Sequence, residues 1–415
     1  MTPPASERWL LASLCTALLL NMVGFANIAV VLPAVSADLG LDAGQAGLLG
    51  GAFFFAYALG VPLFVPLTDR LPPLAIYAIG SVCWIAGGLT VALANGGIAL
   101  PLAGRVLSGF GMAATFMPGL LMLVARLPAD RRSAAAATYS SCITLGTGFC
   151  FAVTGAVALA LPWRAAFVTA SLTAILALVL VGIVIARTPP QPEAPSGHAS
   201  DDDRSLGFLV KRRLVGLFAA VAGNAWEGMA FRTWWIAYLV FVAGGKPDGE
   251  RLAQLAIVTA LAGLLAMPLS VAIARRAQGP RRVPLLVLAC IASGAFALVP
   301  PLLAHLPLPF AIALTTLYLC FVFADAGTLS AAVLEESPPA RRGVAMAASA
   351  TVGNVAAFSG TAAVGAVLGL AGGPVSQSAW LAAFATMGFG SAAGGVALWI
   401  INRPARTQRQ PATSP

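Results

Sequence analysis

Charged residues are scarce in this sequence. Its 24 basic and 15 acidic residues make up 9% of the 415 positions, whereas a soluble globular protein carries about 25%. Hydrophobic residues account for 59%, so a single soluble core is excluded. Repeated runs of about 20 apolar residues instead predict helices that cross a bilayer about 30 Å thick.

Residues that build catalytic or metal sites are also scarce. The two histidines, His198 and His305, lie in loops, and the six cysteines lie in apolar runs without the spacing of a disulfide framework or metal knuckle. No nucleophile–base pair or phosphate-binding loop stands out. The net charge of +9 is scattered between the apolar runs. We therefore expect no enzyme, metal, cofactor or nucleic-acid partner.

Twelve apolar runs bounded by charge, proline and glycine predict an all-α membrane protein, because in lipid each helix satisfies its own backbone hydrogen bonds. The predicted spans are Trp9–Ala34, Ala43–Leu67, Leu74–Ala94, Ile98–Leu127, Ser133–Leu161, Ala165–Ala186, Leu214–Ala243, Leu252–Ala274, Val283–Ala304, Leu308–Leu334, Val344–Leu370 and Ala379–Ile401.

The loop charges predict the orientation. With a cytoplasmic amino terminus, 19 Lys and Arg residues fall on the cytoplasmic side, and only Arg164, Lys246 and Arg251 fall on the other. Such a bias over short loops places both termini in the cytoplasm. Abundant arginine and alanine with only two lysines suggest a bacterial protein, which would occupy the cytoplasmic (inner) membrane.

The chain divides into two halves of six spans. A proline-rich, acidic linker at 188–213 separates residues 1–187 from 214–401, and residues 402–415 form a tail. Related segments recur at matching places: Pro-Ala-Asp-Arg-Arg at 128–132 before span five resembles Pro-Pro-Ala-Arg-Arg at 338–342 before span eleven. The pattern indicates duplicated, pseudo-symmetric halves with a site between them.

Three segments resemble motifs of the major facilitator superfamily. Residues 32–40 read Leu-Pro-Ala-Val-Ser-Ala-Asp-Leu-Gly, similar to the family's exit from span one. The loop after span two contains Asp69-Arg70, similar to the family's gating loop, although Val65 replaces its first glycine and Pro72-Pro73 its Gly-Arg. Span four contains Arg105 followed by Gly109 and Gly111, similar to the family's Arg-x-x-Gln-Gly-x-Gly pattern. The resemblance implies the two-half transporter fold and a gating role for Asp69 and Arg70.

Four charges lie well inside predicted spans, where each costs several kcal/mol. They are Arg105 in span four, Glu227 and Arg232 in span seven, and Asp325 in span ten. The resemblance implies that spans one, four, seven and ten line a central cavity. We expect these charges, with Asn21, Asn27, Asn224 and Trp226, to bind substrate or couple transport.

Other roles are open for each charge. Arg105 can snorkel to the interface, and Glu227 and Arg232 can form structural ties to neighbouring helices. Five residues apart, the latter two sit about 140° apart on a straight helix and pair only if it bends, which Gly228 permits. Asp325 is either a structural carboxylate or, because it is desolvated, a group that loads and unloads a proton.

The pattern predicts a secondary transporter of a small polar or anionic solute that works by alternating access with proton coupling, acting as a monomer in the lipid bilayer. An exporter of amphipathic compounds is the alternative, because span seven is rich in aromatic residues. A membrane sensor that transports nothing is a further class, against which the absence of a predicted soluble domain argues.

Overall fold

The computed structural model describes residues 5–188, 206–244, 248–277, 279–338 and 341–402. Within these ranges the chain forms α-helices joined by short connections and two 3₁₀ turns, Leu206–Val210 and Gly279–Arg281. Most of the predicted linker (189–205) and tail (403–415) lies outside the described residues.

Twelve helical segments are long and apolar enough to cross a membrane, which confirms the predicted spans to within a few residues at most edges. The first six are α1 (Ala5–Met22) with α2 (Asn27–Leu39), α3 (Ala43–Leu67), α4 (Pro73–Ala92), α5 (Ala99–Val124), α6 (Ala129–Ala160) and α7 (Trp163–Arg187). We call this set the N-half.

The C-half contains the other six spans. They are α8 (Arg212–Val242), α9 (Gly249–Arg276), α10 (Arg282–Phe296) with α11 (Val299–Leu302), α12 (Leu308–Val322) with α13 (Ala326–Glu336), α14 (Arg342–Leu370) and α15 (Gln377–Asn402). We call the membrane face where α1 begins and α15 ends the terminal face, and the other the opposite face.

Three spans are broken, which the apolar pattern does not predict. Span one breaks between Met22 and Asn27, span nine before Val299, and span ten between Val322 and Ala326. Pro300 and Pro301 account for the break in span nine, because proline cannot donate the helical hydrogen bond. The other two breaks free backbone carbonyls inside the protein, and side chains of neighbouring spans bind them, as described below.

The two halves meet along α3 with α14 and along α6 with α9. Near the opposite face the backbones of Gly47 and Gly365 come so close that a Cβ on Gly47 would lie 2.9 Å from the Gly365 Cα. Gly249 at the start of α9 similarly packs on the Ala158 carbonyl of α6. Small residues allow this approach.

The hydrophobic cores of the two halves are joined on one side only. Toward the opposite face, one core contains residues of both halves, such as Val31 and Val35 of α2 with Trp234 and Tyr238 of α8. Toward the terminal face the cores are largely separate: the N-half packs around residues such as Leu14 and Met122, and the C-half around Leu217 and Val333. Two C-half residues of α14 reach N-half clusters, Ala357 at mid-depth and Ala347 nearer the terminal face. The halves thus share a large core toward the opposite face and have few core contacts with each other toward the terminal face.

Candidate functional site

A cavity of about 450 Å³ lies between the halves at mid-depth. Phe151, Trp235 and Leu319 form part of its wall and also belong to or pack on the shared core, so that core closes the cavity toward the opposite face. Ser270 and Gly327 line it on the terminal side. The cavity therefore extends from the shared core toward the terminal face.

Spans five, seven, eight and ten line this cavity, rather than the one, four, seven and ten expected from the family resemblance. The full lining comprises Thr144, Thr147, Gly148, Phe151, Arg232, Trp235, Thr259, Ala260, Gly263, Leu264, Ala266, Ser270, Val271, Leu319, Phe323, Ala326 and Gly327. Of these described residues, only Arg232 is charged.

Arg232 stacks on an aromatic ring inside the cavity. Its guanidinium carbon lies 4.1 Å from the centroid of the Phe323 ring in the break of span ten. Within the described residues, no carboxylate lies within ion-pair distance of this guanidinium. Stacking covers one face of the planar group and leaves its N–H edge available to bind an anion.

Glu227 points away from the cavity, into the interior of the C-half. It is fully buried. Its carboxylate accepts hydrogen bonds from the Ser293 hydroxyl at 2.8 Å and the Tyr318 hydroxyl at 2.8 Å. Span seven is a continuous helix here, so Glu227 and Arg232 face different ways and do not pair. Gly228 does not bend it; instead its missing side chain leaves room for Val322 and Phe323.

Asp325 lies in the break of span ten, with only 2% of its surface exposed. The Asn224 amide donates to its Oδ1 at 2.9 Å and also to the Val322 carbonyl oxygen at 2.6 Å. The Cys290 thiol donates to Oδ2 at 3.1 Å. Asp325 and Glu227 are thus two buried carboxyl groups held by neutral donors, close enough to interact electrostatically.

Arg105 lies in the interior of the N-half and lines neither the cavity nor the membrane interface. It is 1% exposed and donates to the carbonyl oxygens of Gly24 at 3.0 Å and Phe25 at 3.1 Å. The Cys150 thiol donates to the Val23 oxygen at 3.1 Å. These bonds satisfy three carbonyls freed by the break in span one, which explains a buried charge without a carboxylate partner.

The three remaining asparagine and tryptophan candidates have structural contacts. The Asn21 amide donates to the Tyr77 hydroxyl at 3.0 Å. Asn27 begins α2, where its side-chain oxygen accepts from the Ile28 N–H at 2.9 Å. The Trp226 indole donates to the Thr386 carbonyl at 2.9 Å and packs on Gly360 and Gly390. Among the aromatic residues of span seven, Trp235 lines the cavity instead.

Asp69 and Arg70 lie in an exposed turn after α3 at the terminal face. Neither side chain forms an ion pair with another residue in the described ranges. Their gating role stays a prediction, and in this arrangement of the halves the loop is open to solvent.

The sequence reasoning missed the hydroxyl groups that spans five and eight bring to the cavity. These are Thr144, Thr147, Thr259 and Ser270. The spacing of Thr144 and Thr147, three residues apart on one helix face, was a readable signal.

Comparison with known proteins agrees with this architecture. The profile of the Major Facilitator Superfamily matches residues 14–361, and the chain belongs to this superfamily. A hexuronate transporter of Bacillus subtilis is 25% identical over 253 residues, covering 59% of this chain and 58% of the relative. A probable sulfoacetate transporter of Cupriavidus necator is 23% identical over 270 residues, covering 62% and 61%. The match thus spans less than two thirds of these relatives.

Solved structures show the same fold. A bacterial homolog of the human lysosomal transporter Spinster, in an inward-facing and unoccupied conformation, gives a TM-score of 0.75 at 19% identity over 96% of both chains. A nucleoside transporter gives 0.75 at 14% identity, over 95% of this chain and 100% of its own. The predicted fold class is confirmed, and the family agrees with the prediction of a transport protein rather than an enzyme.

Proposed function

We propose that the protein is a secondary active transporter that carries a small organic anion across the bacterial cytoplasmic membrane by alternating access. The observation that carries this proposal is Arg232: an unpaired guanidinium at mid-depth, in the cavity between the two halves. Arg232 is only partly exposed, and a charge kept from bulk water without a counter-charge is costly. An anionic ligand supplies that counter-charge, so binding is favoured for anions.

Two relatives support the anionic class by their names, which specify hexuronate and sulfoacetate. The excess of Lys and Arg in the loops of the terminal face supports a cytoplasmic location for that face. With that orientation, the arrangement described above is open to the cytoplasm and closed toward the outside. Rocking the halves apart at the opposite face would expose the same cavity to the other side.

Proton coupling is assigned to Glu227 and Asp325. Both carboxyl groups are buried, and within the described residues neither lies within ion-pair distance of a cation. Because no cation is paired with them, the charge of each site depends on its proton alone. This suits a group that binds a proton in one conformation and releases it in another.

The break in span ten links the proton site to the cavity. Asp325 ends this non-helical turn and faces the C-half interior, while Phe323, two residues earlier, stacks on Arg232 in the cavity. One Asn224 amide holds both Val322 and Asp325. A protonated carboxyl can donate a hydrogen bond as well as accept one, so protonation rearranges the turn that positions Phe323 against the anion-binding guanidinium.

The test is flux into proteoliposomes with an inward-directed proton gradient, using glucuronate, sulfoacetate and benzoate as probes. We expect saturable uptake of at least one anion and its loss in Arg232→Gln. Arg187→Gln is the matched control, because Arg187 lies at the exposed end of α7, outside the cavity. Absence of saturable flux, or equal flux in both variants, would contradict the proposal.

An exporter of amphipathic compounds is the second candidate, favoured by the largely apolar lining of the cavity. A relative named as a probable sphingolipid transporter of Arabidopsis thaliana is 26% identical over 168 residues, which is 40% of this chain. The direction of flux in everted membrane vesicles separates the two. Energised accumulation of an amphipathic cation or neutral compound, independent of Arg232, would favour the exporter.

A further inference from the structure

The wall of the cavity is mostly hydrocarbon. Six large apolar side chains line it: Phe151, Trp235, Leu264, Val271, Leu319 and Phe323. Alanine and glycine fill most of the remaining positions. Apolar surface of this kind favours a ligand that brings its own apolar surface to be removed from water, at about 25 cal/mol per Å².

The charge of the cavity is a single unit. Arg232 is the one ionised side chain among the described lining residues, and its stacking on Phe323 holds the guanidinium plane. The free edge of a guanidinium matches a carboxylate through two parallel hydrogen bonds. A dianion would bring a second charge with no partner, which carries a desolvation penalty. One negative charge fits best.

Two of the four lining hydroxyl groups already donate within the protein, which leaves Thr144 and Ser270 as donors to a ligand. Thr147 already donates to the Ile143 carbonyl at 2.9 Å, and Thr259 to the Ala256 carbonyl at 2.9 Å. A ligand with many hydroxyl groups would leave several of them unpaired against the apolar wall, and each such group reduces affinity. The Trp235 indole N–H also has no hydrogen-bond partner within the described residues, but it is buried behind the wall and adds no exposed donor to the cavity.

We infer that this cavity selects a monoanion with an apolar body, such as an aromatic or alicyclic monocarboxylate, over polyhydroxylated or doubly charged anions. The inference rests on the proposed function and narrows it. Such a ligand is both anionic and amphipathic, so it fits both substrate classes that the sequence predicts.

The experiment is isothermal titration of the full-length protein in lipid nanodiscs at one pH. Benzoate, which carries a charge and an apolar ring, is the reference probe. Three further probes each change one property: cyclohexanecarboxylate lacks aromaticity, glucuronate adds hydroxyl groups, and benzyl alcohol lacks the charge. We expect benzoate and cyclohexanecarboxylate to bind at least about tenfold more tightly than the other two. Arg232→Gln should weaken both carboxylates by at least about tenfold, whereas Arg187→Gln should not.

A pair of neighbouring leucines tests the apolar wall. Both leucines are exposed, at 49% and 64%, but only Leu264 is among the residues that line the cavity. Leu264→Ala should weaken benzoate by about three- to tenfold because apolar contact is lost, and should leave glucuronate unchanged. Leu265→Ala should bind every probe as the unaltered protein does.

The possible outcomes separate this inference from the proposed function. If glucuronate binds with an affinity equal to or higher than that of benzoate, and this binding depends on Arg232, the preference for a monoanion with an apolar body is wrong. The proposal of organic-anion transport would then still hold. Benzyl alcohol binding as tightly as benzoate, or no effect of Arg232→Gln on the carboxylates, would overturn both. Failure of all three anions to bind would also overturn both.

Discussion

The interiors of the two halves bury charges of opposite sign, and these charges have different hydrogen-bond partners. In the N-half, Arg105 is buried against backbone carbonyls of the broken span one. In the C-half, Glu227 and Asp325 are buried among hydroxyl, thiol and amide donors beside the broken span ten. A guanidinium stays charged at any physiological pH, whereas a carboxyl can be neutralised by one proton. The N-half charge is therefore fixed at physiological pH, whereas the C-half charges can titrate, as the proposed proton coupling requires.

The largest expected effect is a loss of stability when Arg105, the buried charge of the N-half, is replaced. Arg105→Ala leaves the Gly24 and Phe25 carbonyls buried and unsatisfied, at about 1–3 kcal/mol each. We expect a strongly lowered apparent melting temperature and poor recovery of monodisperse protein in detergent, measured by fluorescence-detected size-exclusion chromatography after heating.

Arg105→Lys is the matched variant. A single ammonium cannot reproduce the fork that reaches both carbonyls, so we expect an intermediate melting temperature. Wild-type stability in Arg105→Ala would show that the break in span one does not depend on this side chain.

The next effect concerns coupling rather than stability. Glu227→Gln and Asp325→Asn keep the shape of each group but cannot bind and release a proton. With one proton per anion, a gradient of one pH unit drives about tenfold accumulation, and we expect this accumulation to disappear in both variants while anion exchange at equal pH continues.

These two variants should melt closer to the unaltered protein than Arg105→Ala does, because neutral partners surround both sites. Gradient-driven accumulation that survives in both variants would place proton binding elsewhere. Loss of exchange as well as accumulation would show that the carboxyl groups are needed for the movement itself.

The smallest expected effects come from one cysteine in each half. Cys150 donates to the Val23 carbonyl of span one, and Cys290 to Asp325 of span ten. A thiol is a weak donor, so Cys150→Ala and Cys290→Ala should each cost about 1 kcal/mol or less of stability. Thermal melting measures this.

Flux then distinguishes the two cysteine variants. Cys150→Ala should leave the pH dependence of anion uptake unchanged, because its partner does not titrate. Cys290→Ala should alter that dependence, because its partner is Asp325. If the pH dependence of uptake changes equally in both variants, or in neither, the proposed difference between a permanently charged N-half and a titrating C-half is wrong.

The sequence was enough to predict the spans and to select the four charges that lie inside them, because hydrocarbon penalises charge wherever it lies along a helix. It could not predict where those charges point. The outcome for Arg105 depends on carbonyls 81 and 80 residues away in the chain, and hydrophobic runs carry no information on such tertiary hydrogen bonds.

The break in span ten left a local signal, since Asp325 begins a helix, a position that aspartate favours. The break in span one has a weaker signal, which is Gly24, two residues before Ala26. Glycine is common in membrane helices, so it does not by itself indicate a break. Of the four charges, Arg232 is the one that lines the cavity. Its position follows from the packing of spans five and eight, which no pattern in span seven specifies.

The contact of Gly47 with Gly365 has a mechanical consequence. It lies near one end of helices about as long as the membrane is thick, so it can serve as a fulcrum for the two halves. A tilt of about 10° around this point displaces helix ends some 30 Å away by roughly 5 Å. In the proposed alternating access, a small rotation around this contact would therefore move the helix ends most at the terminal face. Opening the opposite face has no such lever arm and must pull the two glycines apart.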